Sequence, residues 1–121
     1  MPQRILIADD EFDLRTIVSD FLMSEGYVTL LAIDGEEALK TVKAEKPDLV
    51  ILDLSMPKMS GWDVARNVRK DPAVSHIPII AFTAHALKGA EAAAFDAGCN
   101  AYVAKPFSPD ALLEKIRELL L

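Results

Sequence analysis

The sequence predicts an α/β domain in which a five-stranded parallel sheet carries helices on both faces. Three observations lead there. Short, continuous apolar runs recur along the chain, and runs of four or five apolar residues suit strands buried on both faces. Longer segments of helical period separate them. No linker, repeat or low-complexity tract breaks the alternation, so residues 1–121 read as one domain.

The first strand is Ile5-Leu6-Ile7-Ala8, which runs into Asp9 and Asp10. The first helix places Leu14, Ile17, Val18, Phe21 and Leu22 at i, i+3, i+4, i+7 and i+8, one apolar stripe. Gly26 stands where a left-handed C-terminal cap belongs. Val28 to Ala32 carries Thr29 and reads as a less buried edge strand. Asp34-Gly35-Glu36-Glu37 has the spacing of a capping box with Asp in first position, opening the second helix. Leu49-Val50-Ile51-Leu52 is the third strand and ends at Asp53. Val64, Ala65 and Val68 mark the third helix. Ile79-Ile80-Ala81-Phe82 is the fourth strand, and an alanine-rich stretch from His85 to Ala97, closed by Gly98, is the fourth helix. Ala101-Tyr102-Val103-Ala104 is the fifth strand. The last helix has Ser108 as N-cap and Pro109 in its first position, and buries Leu112, Leu113, Ile116, Leu119 and Leu120. Five βα units with right-handed crossovers fit the flavodoxin-like (βα)5 strand order 2-1-3-4-5. A dinucleotide-binding sheet is disfavoured, because the first strand meets Asp9-Asp10-Glu11 rather than a glycine-rich turn.

Composition narrows the function. Of the 121 residues, 51% are hydrophobic, enough for a sizeable core. A net charge of −6 gives no footprint for nucleic acid or anionic membrane. No apolar run approaches the roughly 20 residues of a membrane span, and the N-terminal apolar run is too short for a signal peptide. The single cysteine, Cys99, excludes an internal disulfide; with the rest, the expectation is a cytoplasmic protein.

Ligands of such sheets bind beyond the carboxyl ends of the strands. The first strand ends in Asp9 and Asp10, the third in Asp53, the fourth in Thr83, and the fifth just before Lys105. Adjacent strands should crowd these groups at one edge, where three carboxylates repel one another. A hard divalent cation would offset that, and magnesium, held by few carboxylates and several waters, leaves room for a phosphoryl oxygen. The expected metal ligands are Asp10, Asp53, Asp9 and the backbone carbonyl of Ser55. Lys105 adds positive charge and Thr83 a hydroxyl donor. A carboxylate at the centre can attack phosphorus and form an aspartyl-phosphate.

Asp9-Asp10, the run from Asp53 to Gly61 (Asp-Leu-Ser-Met-Pro-Lys-Met-Ser-Gly), Thr83-Ala84 and Ala104-Lys105-Pro106-Phe107 resemble the signature positions of response-regulator receiver domains, the CheY-like family of two-component signalling. The resemblance covers the whole chain. It implies that Asp53 is the phosphoacceptor, that Asp9 and Asp10 help hold magnesium, and that Thr83 and Lys105 read the phosphoryl group. It further implies that Tyr102 is the switch aromatic, that Ser55 and His85 tune the lifetime of the phosphoryl group, and that the Lys105-Pro106 bond is cis. Its partners would be a sensor histidine kinase or histidine phosphotransfer protein, and a downstream output protein or domain. The output face would be helix 4, strand 5 and helix 5, with no direct nucleic-acid or membrane contact. The domain would catalyse only its own phosphorylation and dephosphorylation. The donor protein would dock near the first helix, with Arg15 and Ser19 as candidate exposed contacts.

Taken singly, each residue has a duller reading. Asp9, Asp10 and Thr83 are common helix caps, and a lone lysine is usually a solvated one. Their joint placement at strand ends outweighs this. Two rival functions stand beside the switch. A magnesium-dependent phosphatase working through an aspartyl-phosphate would carry Asp-x-Asp on the first strand, where this chain has adjacent Asp9-Asp10. A phosphorylation-independent scaffold would be expected to lack Asp53, Thr83 or Lys105, all of which are present.

Overall fold

The computed structural model describes residues 2–84 and 89–120. Its elements run β1 (Arg4–Ala8), α1 (Phe12–Ser24), β2 (Val28–Ala32), α2 (Gly35–Glu45), β3 (Leu49–Asp53), α3 (Gly61–Lys70), β4 (Ile79–Thr83), α4 (Ala90–Ala97), β5 (Ala101–Ala104) and α5 (Pro109–Leu120). The strands form one parallel sheet in the order β2-β1-β3-β4-β5, as the alternation of apolar runs and helical segments implies.

Successive residues of a strand face opposite sides of the sheet, so two cores result. Leu6, Ala8, Val50, Leu52, Ile79 and Ala81 point one way and meet Ala38 and Val42 of α2, Val64, Ala65 and Val68 of α3, and Ala94 and Ala97 of α4. Ile5, Ile7, Leu49, Ile51, Ile80 and Phe82 point the other way and meet Val18 and Leu22 of α1 and Leu112 and Ile116 of α5. The two cores differ in kind. Helices α2 to α4 pack through alanine and valine, whereas α1 and α5 contribute mainly leucine and isoleucine. At ~0.8 kcal/mol per buried methylene, α4, which among the described residues buries only Ala94 and Ala97, is held far less firmly than α5.

The caps follow the local sequence. The Asp34 carboxylate accepts from the Glu37 N–H at 2.8 Å, and the Glu37 carboxylate reaches back to the Ile33 N–H at 3.1 Å, one residue before the usual capping-box partner. Gly26 follows α1 with φ of 95°, and Gly98 closes α4 with φ of 111°. The sequence expectation fails at Ile17. It lies on the apolar period of α1, yet it is 58% exposed, because the sheet covers only the narrower arc of Val18 and Leu22, with Leu14 and Phe21 at its margin. Leu119 and Leu120 are half-buried, since α5 runs past the sheet at its end. The fourth helix is described from Ala90; the expected start at His85 lies outside the described residues. Among the described residues, no helix is long and apolar enough to cross a membrane.

Candidate functional site: an acidic pocket closed by a lysine

Parallel winding points the carboxyl end of every strand the same way, and β1, β3, β4 and β5 bring their terminal residues to one edge. Asp9, Asp53 and Thr83 are buried there, with exposures of 1%, 4% and 2%, while Asp10 is exposed. Carboxylate oxygens of Asp9, Asp10 and Asp53 all lie within 4.8 Å of one another.

Each group is held from several sides. The Asp9 Oδ1 accepts the Glu11 N–H at 2.9 Å, and its Oδ2 accepts Lys105 Nζ at 2.8 Å. Arg15 Nη1 donates to the Asp9 carbonyl at 2.7 Å. The Asp53 Oδ1 accepts the Ser55 N–H at 3.0 Å, and its Oδ2 faces Lys105 Nζ at 3.4 Å. Lys105 thus bridges two buried carboxylates, with its own side chain only 14% exposed. The Lys105 N–H donates to the Thr83 carbonyl at 2.8 Å, which staples β4 to β5 where their functional residues emerge. Below the lysine lies Phe82, whose ring centroid is 5.1 Å from Nζ and which forms a T-shaped pair with Phe107, centroids 5.2 Å apart. The Lys105-Pro106 bond is cis.

The electrostatics follow from burial and pairing. Burial pushes the Asp53 carboxyl above its ordinary 3.8; the Ser55 N–H and Lys105 oppose the rise, and Asp9 adds to it. Burial alone would pull the Lys105 ammonium down, but its hydrogen bond to Asp9 and the charges of Asp53 and Asp9 outweigh burial and raise it above 10.5. The pocket therefore holds a carboxylate that is poorly solvated and a lysine locked in its charged form.

The run after Asp53 is anchored by glycine. Gly61 opens α3 behind the Ser60 cap, and its N–H donates to the Leu54 carbonyl at 3.1 Å. A Cβ at Gly61 would lie 2.2 Å from the Asp53 carbonyl oxygen, so only glycine lets the helix start this close to the strand end.

Asp9, Asp10, Asp53, Thr83 and Lys105 stand in this one pocket. Ser55 borders it and is exposed, with its N–H turned to Asp53. Tyr102 is half-buried and packs on the α2–α4 side of the sheet, away from the carboxylates. His85 lies outside the described residues. The two proposed docking contacts on α1 require correction. Ser19 is buried at 5%, its hydroxyl 2.7 Å from Thr29 Oγ1, and Arg15 is half-buried on the Asp9 carbonyl. Helical spacing places both on the flanks that the sheet and the pocket already occupy; the open face of α1 carries Asp13 and Ile17 instead. Arg15 and Phe107 were overlooked as supports of the pocket. A basic residue one turn into the helix that follows an acidic pair was the available signal for the first, and the aromatic after Lys105-Pro106 for the second.

The chain is similar to known proteins over nearly its whole length. The family model for the response regulator receiver domain matches residues 5–117. The polar-differentiation response regulator DivK of Brucella anthropi is 35% identical over 99% of this chain and 98% of its own length. A probable transcriptional regulator, ycf27 of Guillardia theta, is 42% identical over 98% of this chain, which spans 45% of that longer protein. The receiver domain of the sensor histidine kinase PA1611 of Pseudomonas aeruginosa, crystallised with a magnesium ion coordinated in the active-site cleft, superposes with a TM-score of 0.92 at 31% identity, covering 99% of this chain and 98% of that one. The chain belongs to the response regulator receiver domain family of two-component signalling.

Proposed function

We propose that Asp53 is the phosphoacceptor through which this domain switches, and that Thr83 and Lys105 read its state. The observation that carries the reading is the placement of Asp53: a buried carboxylate at the end of β3, one oxygen on the Ser55 N–H and the other facing a lysine that Asp9 holds in place. An Asp53 oxygen attacks phosphorus, and an O–P bond forms as the P–N bond to the donor's histidine breaks. The electron pair stays on the imidazole nitrogen, which takes up a proton. Lys105 needs little movement to balance the added charge, and the Thr83 hydroxyl donates to a phosphoryl oxygen.

Magnesium suits the donor set. Asp10, Asp53, Asp9 and the Ser55 backbone carbonyl would supply hard oxygens, and the crowding of three carboxylates calls for a cation. When bound, the ion neutralises that crowding and polarises the phosphoryl oxygens. Asp9 already carries the Glu11 N–H and Lys105, so we assign it to the buried floor of the site and Asp10 to its open mouth.

A phosphoryl group adds charge and acceptor oxygens that draw Thr83 inward. Tyr102, half-buried one strand away, follows into the space behind it, and the weakly held α4 shifts. The face of α4, β5 and α5 is then the output surface, with a downstream protein or domain as its partner. The population moves between two packings, one of which binds the phosphoryl group better. A sensor histidine kinase or phosphotransfer protein docks over the strand ends and the open face of α1. His85 and Ser55 adjust how long the phosphoryl group lasts, and the only reactions catalysed are the domain's own phosphorylation and dephosphorylation. Neither a phosphatase acting on outside substrates nor a phosphorylation-independent scaffold is favoured by the family relationship.

Incubation with acetyl phosphate and magnesium tests the assignment. Intact mass should rise by one phosphoryl group in the native chain and stay unchanged in Asp53→Asn. Full labelling of Asp53→Asn would remove Asp53 from this role.

A further inference from the structure

Helix α4 ends in a clamp that the acidic pocket does not use. Arg69, in the last turn of α3, donates through Nε to the Gly98 carbonyl at 2.8 Å and through Nη2 to Asn100 Oδ1 at 2.7 Å. Its Nη1 donates to the carbonyls of Ser75 at 3.0 Å and Ile77 at 2.7 Å. Asn100 Oδ1 also accepts the Ile79 N–H at 2.8 Å, and the Asn100 N–H donates to the Ile79 carbonyl at 2.7 Å. One guanidinium thus ties together the end of α3, the entry to β4 and the turn from α4 into β5. Gly98 completes the fit: a Cβ there would lie 2.5 Å from Arg69 Cγ. A planar fork with several donors can span such a set of acceptors; an ammonium cannot.

Among the described residues, the opposite end of α4 makes no such side-chain hydrogen bonds. Its N-cap is Gly89, which has no side chain with which to cap. Along the helix, Glu91, Ala92 and Ala93 are exposed, and the buried residues, Ala94 and Ala97, both lie in the second half.

We infer that Arg69 is a positioning residue that makes the C-terminal end of α4 a fixed pivot, so that phosphorylation moves this helix by its N-terminal end while the α4–β5 turn stays closed. The inference rests on the reading of Asp53 as phosphoacceptor. A displacement that starts at Thr83 reaches the exposed half of α4 first, and the clamp converts it into a tilt. Without the clamp the same push would slide the helix as a whole and open the turn. Tilting concentrates the change at one end of the output face.

Cys99, the chain's single cysteine, reports on the turn directly. It is buried between Gly98 and Asn100, and burial pushes its thiol up to about 11, although Arg69 opposes the rise. Both features slow its labelling while the turn is closed. Maleimide labelling is measured with and without beryllofluoride and magnesium, with the bound mimic followed by fluorine NMR and global stability by urea unfolding. In the native chain the mimic should change the rate by less than about twofold, well short of the tenfold that a 1.4 kcal/mol opening would give. In Arg69→Met, labelling at matched global stability should be at least about tenfold faster, as expected when charged hydrogen bonds are lost. In that variant the mimic should also alter the rate, which a merely structural loss would not cause. Arg69→Lys keeps the charge without the fork and should behave likewise; it serves as the second variant where Arg69→Met does not fold. A mimic-dependent rate in the native chain with the mimic bound, or variants as protected and as indifferent to the mimic as the native chain, would overturn the pivot. A native chain that shows no bound-mimic resonance would instead overturn the phosphoacceptor reading, and the pivot with it.

Discussion

Replacing Gly61 with alanine tests how tightly the phosphoacceptor strand is tied to the helix behind it. The new Cβ would stand 2.2 Å from the Asp53 carbonyl oxygen, 2.7 Å from Leu54 Cα and 2.9 Å from the Asp53 carbonyl carbon. Non-bonded contacts of this kind relax at about 3.5 Å, so strand end and helix start must part by roughly 1 Å. All three obstructing atoms are backbone, so no rotamer change relieves the clash. Gly61 is not in the left-handed region, so the whole loss is steric rather than conformational. Overpacking of this sort costs about 1–3 kcal/mol, and stretching the Gly61-to-Leu54 hydrogen bond adds about 1 kcal/mol. For a domain of this size the sum corresponds to a fall in Tm of roughly 10 °C. The strain falls on the peptide that follows the Asp53 side chain, so the rate of phosphorylation by acetyl phosphate should fall as well. Thermal unfolding and intact-mass labelling measure the two effects. An alanine variant with native Tm and native labelling would show that α3 can slide freely, and would refute the argument from close approach.

Four further outcomes are expected. Asp53→Asn should stabilise the fold at neutral pH. The raised pKa of Asp53 means that its contribution to stability is present below 3.8 and lost as pH rises through the folded value, so the gap in Tm between variant and native chain should open over that interval and then level off. Lys105→Met should destabilise by about 3–5 kcal/mol at pH 7, as when one partner of a buried ion pair is removed, with urea unfolding as the measurement. The loss should shrink at high pH, because the raised pKa of Lys105 makes its contribution full below 10.5 and lost as pH climbs through the folded value. Asp10→Asn should weaken magnesium binding and abolish labelling while leaving Tm within about 2 °C, since Asp10 is exposed and surface substitutions cost little. Ser19→Ala should cost about 1 kcal/mol through the lost hydroxyl pair with Thr29 and leave phosphotransfer from the cognate kinase intact, whereas Asp13→Lys should slow transfer without destabilising.

The sheet was legible because burial on both faces writes itself as unbroken apolar runs, and Leu49 to Leu52 or Ile79 to Phe82 admit no other reading at that length. The pocket was legible because parallel winding sends every strand end to the same side, so that a list of strand-terminal residues is already a site. Ile17 was misjudged because helical period gives the direction of an apolar stripe and not its width, which the sheet decides. Ser19 was misjudged for the converse reason: a small polar residue looks exposed until a hydroxyl such as Thr29 is placed opposite it. Arg69 left no trace at all. Three of its four acceptors are backbone carbonyls, which every residue type provides, and they come from separate stretches between Ser75 and Gly98.

Parallel winding also fixes where attachments can go. β1 begins at the pole away from the carboxylates, and α5, which starts beside Lys105, runs back to that same pole, where Arg117 Nη2 meets Glu25 at the end of α1 at 3.5 Å. A five-residue strand spans about 16 Å. A fluorescent reporter or an affinity handle carried by Gln3 or by Glu118 therefore attaches about that far from Asp53 and leaves the mouth of the pocket uncovered. A pair of dyes for distance measurement is better carried by Gln3 and by Ala92, which is exposed in the N-terminal half of α4, the part expected to move.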